Sequence, residues 1–350
     1  MNTVMIKNHL YDAAKKWLNV YFQELIYKNE LQIIKNETLF KFVDDFLNLE
    51  SGVDFTDLKS YKNILNNLNK TTNIEQIYKL HYVLDYLKTV SNSLMISGGC
   101  ITSLFLNEEV NDYDMYFSSQ EITDSLISFY LDKINDKNST DWIYDKNLKI
   151  IYKFKKSEYK NIDSDIFYSN INEYVEMTNA VTAKNVNANE NMYEPICITP
   201  NAISLTNNIQ LVTRFTGEVN EILSNFDFIH TNNYYKFSSN TLHTSKEALE
   251  SILTKQLHYS GSKYPICSLI RTRKFIKRGW NISAGEYLKM AFQINKLDLN
   301  NIEILKEQLI GVDAKYFIVF LEKLSKMDSL TEVNIFELLN EVFEEIGDED

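Results

Sequence analysis

Cysteine, proline, glycine and arginine are all scarce in this chain: three, three, nine and four residues in 350. Cys100, Cys197 and Cys267 are odd in number, unevenly spaced and without a Cys-x-x-Cys pair, which excludes a disulfide framework and a zinc site set by spacing. His9, His81, His230, His243 and His258 are equally scattered. With proline only at 195, 200 and 265, no proline- or glycine-rich linker divides the chain, so its internal boundaries are soft. No run of eighteen apolar residues occurs, and residues 1–7 lack the charge-then-apolar order of a secretory leader, so no membrane span and a cytoplasmic location are expected. The net charge of −12 excludes a molecule that attracts nucleic acid with its whole surface. Abundant Lys, Asn and Ile beside scarce Gly, Pro and Arg is the product of AT-rich coding, which suits a phage or a low-GC bacterium and says nothing about chemistry.

Against that background one stretch stands out. Leu94-Met95-Ile96 has the length and apolarity of a buried strand, and Ser97-Gly98-Gly99-Cys100 follows it. The glycines let the backbone approach a ligand closely, and Cys100 to Leu106 reads as a helix whose first N–H groups, including those of Cys100 and Thr102, would face an anion such as phosphate. Asp112 and Asp114 come next, two apart at the start of the predicted strand 113–117, so they point to one side of it. Two hard oxygen ligands so placed suit Mg²⁺, or Mn²⁺. A glycine pair also makes an ordinary strand-to-helix turn, and carboxylates also mark a solvated strand entry. The order of strand, turn, helix and strand is what selects the site, because Asp163-Ser164-Asp165 repeats the spacing without the glycine turn and reads as a surface loop.

Gly98-Gly99, a short helix and Asp112-x-Asp114 leading an apolar strand resemble the core motif of the DNA polymerase β-like nucleotidyltransferase superfamily, which includes the tRNA CCA-adding enzymes, poly(A) polymerases and several toxin nucleotidyltransferases. The diagnostic resemblance covers about twenty residues. A weaker one, through residues 201–205, the Asn207-Asn208 turn, residues 209–215 and 225–230, is similar to uncharacterised phage-encoded members. The resemblance implies an NTP substrate, an RNA or tRNA acceptor, a divalent metal held by Asp112 and Asp114, and nucleotide contacts from Gly98, Gly99, Cys100, Thr102 and Arg214. It also implies a third carboxylate on the strand that follows the Asn207-Asn208 turn. Gln210 stands where that carboxylate is sought, and an amide brings no charge.

Asp227, between Phe226 and Phe228, is the candidate substitute and so a third metal-binding and catalytic residue. A carboxylate among aromatics needs a partner or a metal if it faces inward. The alternative is a strand in which Asp227 faces water while its neighbours are buried. Glu218 reads instead as an acidic first-turn residue of a helix opening at Gly217.

Three of the four arginines fall in Arg271-Thr272-Arg273-Lys274-Phe275-Ile276-Lys277-Arg278. In a lysine-biased chain this suggests planar, bidentate work on phosphate. As a helix the octet places Arg271, Lys274 and Arg278 on one face, with Phe275 and Ile276 turned to packing. The functional reading is a cationic wall of Arg271, Arg273, Lys274, Lys277 and Arg278 for acceptor or triphosphate; the plain one is a solvated face or an ion-pair belt. Trp280 reads as a base platform or, more simply, a packing plug. Residues 331–350 carry eight acidic side chains and no basic one around apolar positions at helical spacing, an acidic amphipathic helix fit for a basic protein partner.

The expected fold is α+β: residues 1–90 as a helical region, with a Thr72-x-x-Glu75 capping box, residues 91–237 as a nucleotidyltransferase-type mixed-sheet core with an Asn-rich insertion around 155–200, and residues 238–350 as a second helical region. The expected function is metal-dependent transfer of a nucleotidyl group from an NTP to a hydroxyl acceptor, RNA before protein. The alternative is a catalytically degenerate member that binds or builds, in a viral setting.

Overall fold

The computed structural model describes residues 2–28, 47, 74–154, 175–184, 186, 192–299 and 301–309. Thr72, Asp163, Asp165 and the acidic segment 331–350 lie outside the described residues. The chain is α+β and divides into two compact units, Met1–Ile222 with Asn233–His243, and Leu223–Asn232 with Thr244–Asp350.

The first unit is built on an eight-stranded mixed sheet. In chain order its described elements are α1 (Thr3–Lys28), α2 (Ile74–Ser93), β1 (Met95–Ser97), α3 (Gly99–Leu106), β2 (Tyr113–Phe117) and α4 (Gln120–Asn138). There follow β3 (Ile143–Asp145), β4 (Ile150–Phe154), β5 (Val175–Thr178), β6 (Val181–Thr182), β7 (Pro195–Ile198), β8 (Ala202–Leu205), β9 (Ile209–Thr216) and, after α5 (Val219–Leu223), β10 (Asn233–Lys236) and β11 (Thr241–Thr244). The large sheet runs β11-β10-β1-β2-β9-β8-β7-β6, and β3-β4-β5 form a separate ribbon. From β10 to β6 the pairing is antiparallel except between β2 and β9.

Alternation along these strands separates a greasy face from a polar one. Tyr235, Ile96, Met115, Leu211, Ile203, Ile198 and Val181 lie in register across seven strands, none more than 4% exposed. Each such side chain contributes about 1.5–3 kcal/mol on burial. They share one core with the apolar stripe of α1, in which Ala14, Trp17, Leu18 and Tyr21 recur at helical spacing, and with Leu80, Leu84 and Leu87 of α2. Aromatic contacts lock the layers: Trp17 Nε1 donates to the Tyr130 hydroxyl at 3.0 Å, and the Tyr21 ring meets the Phe129 edge at 5.0 Å.

Among its described residues the second unit holds the 3-10 turn Ile229–Thr231 and the elements α6 (Lys246–Thr254), β12 (Gln256–Leu257), α7 (Pro265–Lys277), β13 (Asn281–Ile282), α8 (Ala284–Ile294) and α9 (Ile302–Leu309). Ser245 caps α6 by accepting from the Ala248 N–H at 3.0 Å, and Pro265 opens α7, where a missing N–H costs nothing. Trp280 is buried against His230, with ring centroids 4.4 Å apart, and lies near Phe275, so it is a packing plug.

Candidate metal and nucleotide site

The polar face of the sheet carries the candidate site. One residue out of phase with the core row, Tyr234, Ser97, Asp114, Gln210, Ser204, Cys197 and Thr182 lie in register across the same seven strands. Registered side chains of adjacent strands share a face, so Asp114 stands between Ser97 and Gln210. The register is pinned at the strand ends. Asn207 and Asn208 both take positive φ, 60° and 59°, which asparagine tolerates, and this turns β8 into β9 so that Ser204 opposes Gln210. The Tyr113 N–H donates to the Asn208 carbonyl at 2.7 Å and Asn208 Nδ2 to the Val110 carbonyl at 3.3 Å, which fixes the entry of β2 against that turn.

Asp112 is exposed, one residue before β2, and Asp114 is half-buried within it. Gly98 lies against the second carboxylate: at φ 92°, ψ −150°, a conformation essentially restricted to glycine, a Cβ there would stand 3.1 Å from Asp114 Oδ2. At Gly99 a Cβ would meet nothing within 4 Å, so the start of α3 looks into open space beside the carboxylate. No side chain caps that helix, whose start is the end at which a helix favours an anion. Cys100 and Thr102 are buried, so neither the thiol nor the hydroxyl is open to a phosphate. Cys100 Sγ is 3.6 Å from the Ser97 carbonyl, and burial, reinforced by the Asp114 carboxylate, pushes its thiol pKa well up, so it is neutral and unreactive at pH 7.

Gln210 is in register with Asp114, and its Nε2 is 3.5 Å from Ser204 Oγ. Among the described residues no group of three or more His, Cys, Asp or Glu could hold a metal ion. Two carboxylates with a neutral amide alongside still fit Mg²⁺, which commonly takes one or two protein carboxylates and fills its octahedron with water and substrate phosphate. Arg214 sits where the Thr213 and Arg214 N–H groups both donate to the Asn201 carbonyl, a bulge that breaks the alternation, so its side chain does not inherit the face of Gln210. Its guanidinium lies 5.6 Å from the Phe215 ring centre.

Asp227 belongs to the second unit. The expected strand through 226–228 is absent there: Phe228 makes an isolated bridge to Tyr259 and the chain continues into the 3-10 turn. The water-facing alternative also fails, since Asp227 is 5% exposed. Its partner is Arg271 Nη1 at 2.8 Å, and its backbone carbonyl accepts from the Ser260 N–H. Arg271 is thereby engaged in an ion pair within the unit. Arg273, Lys274 and Lys277 are exposed on α7, and Arg278 caps its end. Phe275 packs against Phe228 and His230, whereas Ile276, expected in the core, is 46% exposed. Ser97 and Ser204 stood in the quoted stretches without a role of their own, and Tyr234 went unseen. Counting back across the Asn207-Asn208 turn would have found Ser204, but the β1–β10 pairing that brings Tyr234 beside Ser97 leaves no local signal.

Residues 59–255 match the Gabija anti-defense 2 family, and the chain belongs to that family. The curated relative "Gabija anti-defense 2" of Bacillus phage SPbetaL7 is 22% identical over 260 residues, 74% of this chain and 50% of its own. The chain thus spans about half the length of the curated relative it matches. Among solved structures, a tRNA-processing enzyme with CTP aligns over 72% of this chain and 55% of its own at 13% identity and a TM-score of 0.33. The Thermotoga maritima CCA-adding enzyme complexed with tRNA aligns over 71% and 53% at 10% identity and 0.33. At such distances the chemistry rests on this chain's own residues.

Proposed function

We propose that this protein is a metal-dependent nucleotidyltransferase that moves a nucleotidyl group from an NTP to a hydroxyl acceptor, RNA or tRNA, and that a phage uses it against the Gabija defence in the host cytoplasm. The observation that carries the reading is Asp114 in register between Ser97 and Gln210, with Gly98 folded against its carboxylate and an uncapped helix starting at Gly99. Asp112 and Asp114 would hold Mg²⁺ or Mn²⁺, which when bound neutralises the triphosphate and polarises the α-phosphoryl group. The N–H groups at the start of α3 orient the phosphates. The exposed cations Arg273, Lys274 and Lys277 of α7 offer the acceptor a phosphate-binding face within the second unit. Asp227 and Arg271 are assigned to holding that unit together rather than to metal or RNA. Among the described residues no helix is long and apolar enough to cross a membrane.

Gln210 favours a second reading, in which the fold binds nucleotide without turnover. Incubation with α-³²P-labelled NTPs, Mg²⁺ or Mn²⁺ and host RNA decides between them. Labelled RNA from the native protein and none from Asp112→Asn with Asp114→Asn supports transfer. Tight nucleotide binding with no labelled acceptor in any RNA or protein fraction supports the binding protein.

A further inference from the structure

Within the first unit α1, α2, α4 and the β3–β4 ribbon wall a cleft of about 980 Å³ that shares no lining residue with the metal and nucleotide site. Rings line it from three sides: Tyr82 and Tyr86 of α2, Phe129 of α4, and Tyr144 and Tyr152 of the ribbon. Among them lie four carboxylates, Glu121, Asp124, Asp132 and Asp145, against the two lysines Lys28 and Lys146, so the described lining is net negative. Twice the chain sets one of its own cations here between a carboxylate and a ring. Lys28 Nζ is 2.7 Å from Asp132 Oδ2 and 5.3 Å from the Phe129 ring centre, and Lys149 Nζ is 2.7 Å from Asp124 Oδ1 and 5.9 Å from the Tyr144 ring centre. A third carboxylate stands beside rings without such a cation. Glu121 is exposed in the first turn of α4, close enough to Tyr86 that its charge adds to the rise that burial causes in the pKa of that phenol, and among the described residues no lysine, arginine or histidine pairs with it. Tyr82, one turn before Tyr86 on α2, is 72% exposed, and Tyr78, a further turn back, is equally so, which carries the aromatic surface out of the cleft along the helix for about 6 Å.

We propose that this cleft receives an arginine side chain of a partner protein, its guanidinium held between the Glu121 carboxylate and the rings of Tyr82 and Tyr86. A guanidinium suits the niche because it is planar, weakly hydrated, forks onto a carboxylate and stacks on an aromatic face. A protein segment fits better than a small free cation because the exposed tyrosines continue past the cleft, and tyrosine and arginine are the side chains that anchor protein interfaces. The inference does not depend on the nucleotide reading, since the two sites have no residue in common.

The test uses the fluorescein-labelled, amidated peptide Gly-Leu-Arg-Leu-Gly, its counterpart with uncharged citrulline in place of arginine, and arginine amide as an unlabelled competitor. Fluorescence anisotropy is read with the native protein, Tyr82→Ala, Glu121→Gln and, as a control for the general negative charge of the chain, Glu247→Gln on α6, with folding checked by circular dichroism. The inference predicts that the native protein binds the arginine peptide about five-fold or more tighter than the citrulline peptide, that Tyr82→Ala and Glu121→Gln each lose about three-fold or more, and that Glu247→Gln binds like the native protein. Arginine amide should compete only at far higher concentration than the unlabelled peptide. Native protein that binds neither peptide, or both alike, overturns the proposal, as does unchanged affinity in the folded Tyr82→Ala and Glu121→Gln variants or an equal loss in Glu247→Gln. Competition by arginine amide as strong as by the peptide overturns the protein partner in favour of a small free cation.

Discussion

Replacing the two adjacent glycines one at a time should separate folding from ligand binding. At Gly98 an alanine must adopt φ 92° and ψ −150° and place its Cβ 3.1 Å from Asp114 Oδ2, tighter than ordinary contact. A backbone held in such a region costs on the order of 1–3 kcal/mol, and the carboxylate has to move by a few tenths of an ångström as well. For a unit of this size that corresponds to a fall in Tm of roughly 2–10 °C. Gly99 is the first residue of α3, its φ is unremarkable and a Cβ there meets nothing within 4 Å. Alanine is the better helix former by up to about 1 kcal/mol, so Gly99→Ala should leave Tm unchanged or raise it slightly, while its methyl group occupies the space through which a phosphate reaches the helix N–H groups. Thermal unfolding by circular dichroism and calorimetric titration of Mg²⁺–NTP read the two effects apart. Gly98→Ala should lose stability and binding together, and Gly99→Ala should lose binding alone. A Gly99→Ala protein that binds NTP like the native chain would refute the phosphate cradle, and a Gly98→Ala protein of native stability would refute the close approach to Asp114.

The remaining predictions concern charge. Arg271→Ala strands the buried Asp227 and should destabilise the protein by about 1–3 kcal/mol, an amount reduced from fully buried pairs because the guanidinium is 45% exposed, whereas Arg273→Ala should leave denaturant midpoints unchanged and weaken RNA with a shallower salt dependence. His230, whose pKa burial and then the charge of Arg278 push down to about 3, stays neutral in the fold, while the unfolded chain takes up its proton near 6.5. Its contribution is therefore complete above about pH 6.5 and is lost as pH falls toward 3, by at most about 1.4 kcal/mol per pH unit, and His230→Phe should flatten that part of a stability-versus-pH curve. Gln210→Glu puts a third carboxylate beside Asp114 and should lower the Mg²⁺ concentration needed for NTP binding, which a metal titration reads directly; a higher requirement would contradict the placement of Gln210 at the metal.

What the sequence made legible was local. The strand 113–117, the Asn207-Asn208 hairpin, the helix after Gly99 and the stripe Ala14, Trp17, Leu18, Tyr21 are each encoded within a few residues, by alternation, turn chemistry or helical spacing, and each stands in the structure where expected. The juxtaposition of Gly98 with Asp114 was foreshadowed by the order of elements, although the contact depends on the β1–β2 register. Long-range pairing was not legible. Nothing near Asp227 in sequence announces its partner Arg271, 44 residues on. The exposure of Ile276 was missed for a related reason: helical spacing tells which residues share a face, not which face a neighbouring element covers. Segment 223–232 joins the second unit while 233–243 returns to the first, a crossing with no composition change to mark it.

The most direct measurement of the central claim is calorimetric titration of NTP into the native protein and into Asp112→Asn with Asp114→Asn, each with Mg²⁺ and with EDTA. Removing both charges leaves the triphosphate without its bridging cation while the isosteric amides preserve the strand. The account predicts binding by the native protein only in Mg²⁺ and none by the double variant in either condition. Equal NTP affinity of the folded double variant and the native protein, or binding that EDTA does not abolish, would contradict a metal site at Asp112 and Asp114.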